Sequence, residues 1–131
     1  MLRKRRGNFN NLKQLTQYLT LVLQLQIYEF QKMMKYLYIK KDSKRGIEAT
    51  FKWLSDELQE LKEALNKKDQ TALEKEFADV LAWLASLANI TNVNLEKATL
   101  EKYNHKCPKC QQAPCKCKFI KIKPDGSVQH P

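Results

Sequence analysis

Between Asn8 and Cys107 the chain contains no proline and a single glycine, Gly46. Strand-and-turn folds need turn residues every few positions, whereas a hundred residues almost free of helix breakers favour long helices. Apolar residues then set the phase of each helix. Leu12, Leu15, Leu19, Leu23, Ile27, Phe30, Met34 and Leu37 recur in steps of three and four, one face of a helix, or of two in succession, over residues 12–39. Lys40-Lys-Asp-Ser-Lys-Arg-Gly46 carries no apolar residue and reads as a loop. A second helix, 47–67, presents Phe51, Leu54, Leu58, Leu61 and Leu65. A loop over 66–70 follows, and Thr71 with Glu74 forms a capping box that starts a third helix, 71–90. Its apolar face is Leu73, Phe77, Leu81, Leu84 and Ala88. Asn94 caps a fourth helix over 95–104, with Glu96 in its first turn. The expected fold is all-α, an antiparallel helical hairpin or bundle of about four helices. So short a set cannot bury all its apolar faces alone, so dimerisation is expected to complete it.

Past residue 107 the pattern changes. All four prolines and all four cysteines of the 131-residue chain lie here, with Phe119-Ile-Lys-Ile-Lys as a short strand and Pro124-Asp-Gly126 as a turn. Three segments follow: a basic helical extension, 1–30; a helical domain, 31–106; and a cysteine-rich tail, 107–131. With every cysteine in one short stretch, a disulfide framework for the whole chain is not expected, and a reducing compartment is. The N-terminal Met-Leu-Arg-Lys-Arg-Arg resembles the start of a signal peptide, but the apolar stretch after it is broken by Thr20, Gln24 and Gln26. No segment approaches the ~20 apolar residues of a membrane span. The expected location is cytoplasmic. The net charge of +10 is divided: +9 over residues 1–47, −5 over 48–101 and +6 over 102–131. Basic ends around an acidic centre suit polyanions outside and a cation inside, although solvated lysines produce the same surplus.

The acidic centre is organised in pairs. Glu57 and Glu60 stand three apart on the second helix, and Glu76 and Asp79 repeat that spacing on the third. Each pair lies beside its helix's apolar stripe, so an antiparallel hairpin brings both to one groove edge. Four like charges there repel without a counterion, and an all-oxygen ligand set is what Mg²⁺ prefers. A single such pair is ordinarily a solvated surface; two pairs on successive helices leave a metal site and a solvated surface equally open, and the pattern alone goes no further.

Asp56-Glu57-Leu-Gln-Glu60, followed after 16 residues by Glu76-Phe-Ala-Asp79, resembles the E-E-x-x-E…E-x-x-D signature of MazG nucleotide pyrophosphohydrolases, all-α NTP pyrophosphatases. The flanks Arg45-Gly46, Thr50-Phe51, Trp53-Leu54 and Val80-Leu-Ala-Trp83 are similar as well, and the resemblance covers roughly residues 31–106. It implies Mg²⁺-dependent hydrolysis of nucleoside triphosphates between the α and β phosphates, with Glu57, Glu60, Glu76 and Asp79 as metal ligands and catalytic groups in a homodimer or larger homo-oligomer. Asp56 departs from the family's glutamate and is left out of the ligands. Trp83 stands where relatives carry a base-stacking aromatic. Trp53, one turn before Glu57, offers the same, and a core or interface role competes for both. Lys102, Asn104 and Lys106 loosely match the segment that closes the family's domain and would contact phosphates.

Cys107-x₂-Cys110-x₄-Cys115-x-Cys117 lies outside that signature. Two thiolates two residues apart bind one ion from a tight turn, so a structural Zn²⁺ is expected, with His105 able to replace one cysteine. Free thiols or a redox pair are the alternatives, and nucleic acid is a weak further expectation for this basic tail. The rival function is a zinc-bearing helical module that binds nucleic acid or protein without catalysis.

Overall fold

A computed structural model describes residues 12–16, 26–118 and 122–127. Residues 12–16 are helical, and the rest of the expected first helix up to residue 25 lies outside the described residues, as does the start of the expected strand at 119–121. Four helices follow: α1 (Ile27–Arg45), α2 (Ile47–Lys67), α3 (Gln70–Ile90) and α4 (Leu95–Tyr103). The fold is all-α, as the residue pattern requires. The chain divides into two compact units at Asn92 and Val93, so α4 belongs with the cysteine-rich segment.

In the first unit α2 and α3 form an antiparallel hairpin, and α3 also packs against α1. The expected loop at 40–46 is instead the last turn of α1, and the break is Gly46 alone. Lysine, serine and aspartate cost a helix only tenths of a kcal/mol, roughly, so a polar run does not end one. Gly46 does, because its φ of +85° lies where side chains are disfavoured. Its N–H donates to Asp42 O, and its carbonyl accepts from the Thr50 N–H and hydroxyl. At the other turn Lys68 takes φ +55°, and the cap of α3 is Asp69, whose side chain accepts from Ala72 N–H at 3.1 Å. The expected Thr71–Glu74 box is not used, because α3 starts one residue earlier, at Gln70. Asn94 caps α4 as expected, accepting from Lys97 N–H at 2.9 Å.

The core is smaller than the apolar stripes. Met34, Leu54, Ala64, Ala85 and Ala88 are its buried apolar residues, and a buried amide pair pins α1 to α3: Gln31 Nε2 donates to Asn89 Oδ1, and Asn89 Nδ2 to Gln31 O. Small residues on α3 let the helices approach closely. Phe51, Leu58 and Leu65 of α2 and Phe77, Leu81 and Leu84 of α3, all on the expected apolar faces, are exposed. A helix packed on two neighbours covers only part of a broad apolar face. Among the described residues no helix is long and apolar enough to cross a membrane.

In the second unit no residue between 93 and 118 is buried. The expected turn at 124–126 is present: Gly126 adopts φ +81° and donates to Lys123 O, while Ser127 O accepts from Lys123 N–H.

Candidate active site

The hairpin sets residues 57 and 60 of α2 against residues 76–83 of α3. One carboxylate oxygen each from Glu57, Glu76 and Asp79 lies within 4.8 Å of the others. Glu60 stands outside this trio. It is exposed and lines an adjoining groove of about 460 Å³ with Asp56, Gln59, Glu63, Lys67 and Glu76. Glu76 Oε2 is buried without a hydrogen-bond partner. An ionised oxygen out of water with no donor is costly, and close like charges add to the cost. Burial first, then the Glu60 and Asp79 charges, pushes the Glu57 carboxyl above its ordinary range. The Trp83 hydrogen bond works against this, and Glu76 adds to the rise. Three converging hard oxygen donors, from residues of which Glu76 also has an unpartnered buried oxygen, fit a divalent cation such as Mg²⁺. Asp56 is not one of the trio: it lines the adjoining groove and pairs with Lys52 Nζ at 2.5 Å.

Trp83 is tied directly to this trio. Its Nε1–H donates to Glu57 Oε1 at 3.0 Å, one ring face stacks on Trp53 at 5.6 Å between centroids and 8° between planes, and the Arg45 guanidinium lies 4.7 Å from the ring centre. Arg45 is itself held by Asp42 at 2.9 Å and by the Thr50 hydroxyl at 3.2 Å. Asp42 is 1% exposed, and its second carboxylate oxygen has no partner. Tyr38, Lys41, Asp42 and Arg45 join Asp79 and Trp83 around a pocket of about 330 Å³. Sequence reasoning overlooked this side of the site because it placed residues 40–46 in a loop. Arg45 entered only as a flank of the motif. The spacing 38, 41, 42, 45 is one helical face, and that was the signal available. Lys102, Asn104 and Lys106 lie at and beyond the end of α4 in the second unit, all exposed.

In the second unit the sulfurs of Cys107, Cys110, Cys115 and Cys117 also converge within 4.8 Å, without His105. Backbone N–H groups of Lys116 and Gln112 draw the Cys110 thiol down to about 6, while hydrogen bonding with the Cys115 and Cys110 sulfurs pushes Cys117 up to about 12.

The sequence profile of the MazG nucleotide pyrophosphohydrolase domain matches residues 45–111, just over half of the chain. The chain belongs to the MazG family. No curated protein matches it. The MazG match takes in Arg45, Trp53, Trp83 and the whole carboxylate cluster, and so supports nucleotide pyrophosphohydrolase activity in general terms. It begins after Tyr38, Lys41 and Asp42 and ends before Cys115 and Cys117, so part of the pocket and half of the cysteine cluster lie outside the family's domain.

Proposed function

We propose that the chain hydrolyses nucleoside triphosphates, ribo or deoxy, between the α and β phosphates, releasing a monophosphate and pyrophosphate. The observation that carries this reading is the convergence of Glu57, Glu76 and Asp79, with one Glu76 oxygen buried and without a hydrogen-bond partner. These three residues would hold Mg²⁺, which when bound neutralises phosphate charge and acidifies water. Trp83 N–H orients Glu57 and offsets part of its charge. Glu60, beside the trio, either completes coordination through a water or takes that water's proton. The pocket beyond Asp79 would receive the nucleotide, with Lys41 and Arg45 drawing the phosphates and Trp83 and Tyr38 offering apolar surface to the base. Trp53 backs Trp83 and shares that stack.

The functional unit in this reading is a homodimer. Phe51, Leu58 and Phe77 are half exposed or more, and a second copy is the simplest cover for large apolar side chains exposed on both helices of the hairpin. A pool-cleaning role in the cytoplasm is consistent with such an enzyme. A binding module without catalysis has no use for three converging carboxylates, one of them with a buried oxygen that lacks a hydrogen-bond partner, and the family match weighs the same way.

Glu57→Gln and Asp79→Asn are expected to abolish pyrophosphate release across a panel of nucleoside triphosphates with Mg²⁺, while helical circular dichroism is kept. Activity within a few-fold of the parent in both variants would refute the metal site.

A further inference from the structure

We infer that Cys107, Cys110, Cys115 and Cys117 form a tetrahedral four-thiolate site that holds one zinc ion and staples the second unit together. The sulfur positions carry the argument. Cys107 Sγ lies 3.8 Å from Cys117 Sγ, and Cys110 Sγ lies 3.8 Å from Cys115 Sγ. A zinc–sulfur bond of about 2.3 Å in a regular tetrahedron requires sulfurs about 3.8 Å apart along each edge. All four fall within 4.8 Å of one another, so they enclose one centre rather than two separate pairs. A disulfide would bring two sulfurs to about 2.0 Å, and neither pair is near that.

The surroundings fit the same ion. The Lys116 N–H points at Cys110 Sγ and the Cys117 N–H at Cys115 Sγ, each at 3.4 Å, the backbone support that orients thiolate ligands. Zinc uptake by four thiols releases four protons to solvent and leaves a centre of charge −2, with no change of oxidation state. Lys106, Lys109, Lys116 and Lys118 alternate with the ligands and offset that charge. The unit also needs a staple: none of residues 93–118 is buried, so no apolar core holds the loop in shape. Metal binding supplies the folding free energy that such a short module lacks. The site shares no residue with the carboxylate trio, and only Cys107 and Cys110 of its four ligands fall within the MazG match.

The test uses the full chain, purified under reducing conditions. Elemental analysis should find one zinc per chain. Replacement by Co²⁺ should give the thiolate-to-cobalt charge-transfer band and the visible bands of tetrahedral geometry, both lost in Cys110→Ser/Cys115→Ser. Chelation should open residues 107–118 to protease while the helical signal of the hairpin persists. Absence of metal, iron in place of zinc, or a mass after alkylation showing two disulfides would overturn the assignment. So would protease resistance unchanged by chelation.

Discussion

Replacing the indole by a phenyl ring separates two roles for Trp83. Trp83→Phe keeps a smaller aromatic ring beside Trp53 and Arg45, but the Nε1–H that reaches Glu57 Oε1 at 3.0 Å is gone. A hydrogen bond to a charged group contributes about 1.5–3 kcal/mol when well buried. Trp83 and Glu57 are only half-buried, so about 1 kcal/mol is the appropriate figure after solvent screening, roughly a fivefold effect. The loss also removes an influence that lowers the Glu57 pKa, so protons compete better for the oxygen that Mg²⁺ needs. The Mg²⁺ concentration giving half-maximal pyrophosphate release should therefore rise about fivefold, with nucleotide KM at saturating Mg²⁺ nearly unchanged. Trp83→Ala removes the ring too and should raise nucleotide KM by about tenfold or more, as base stacking is worth roughly 1–3 kcal/mol. An unchanged Mg²⁺ requirement in the phenylalanine variant would refute the positioning role. A lowered melting temperature in the alanine variant with KM unchanged would return Trp83 to the core.

The remaining expectations concern pH and assembly. Because the folded Glu57 carboxyl binds its proton more tightly than in the unfolded chain, the apo protein should lose stability as pH rises from about 4.5 through the raised folded value. Melting in chelator should thus be higher at mildly acidic than at neutral pH from this group, and Mg²⁺ at neutral pH should restore the difference; a Mg²⁺-insensitive melting point at neutral pH would argue against the cluster as a cation site. Phe51→Asp or Leu58→Asp, at exposed apolar positions, should convert a dimer to monomer by light scattering. A parent chain that is monomeric at assay concentration would rule out the homodimer.

Helix identity and the spacing of the acidic pairs were legible in the sequence because both are local. Periodicity of 3.6 places Leu54 and Leu58 on one face, and a separation of three places Glu76 beside Asp79 whatever the helix packs against. The four cysteines were likewise legible as a set, since the ligand spacing lies within eleven residues. The tertiary structure alone decided which groups meet. Glu57 meets Glu76 and Asp79 while Glu60 stands aside, because residues three apart on a helix differ by about 60° in direction and packing selects which of the two reaches across the hairpin. It also decided that Gly46 rather than Lys40 ends α1, which turns Tyr38, Lys41, Asp42 and Arg45 into a pocket wall. And it decided that Phe51, Leu58 and Phe77 lie at the rim, because periodicity reports that a face is apolar and packing alone selects the part another helix covers.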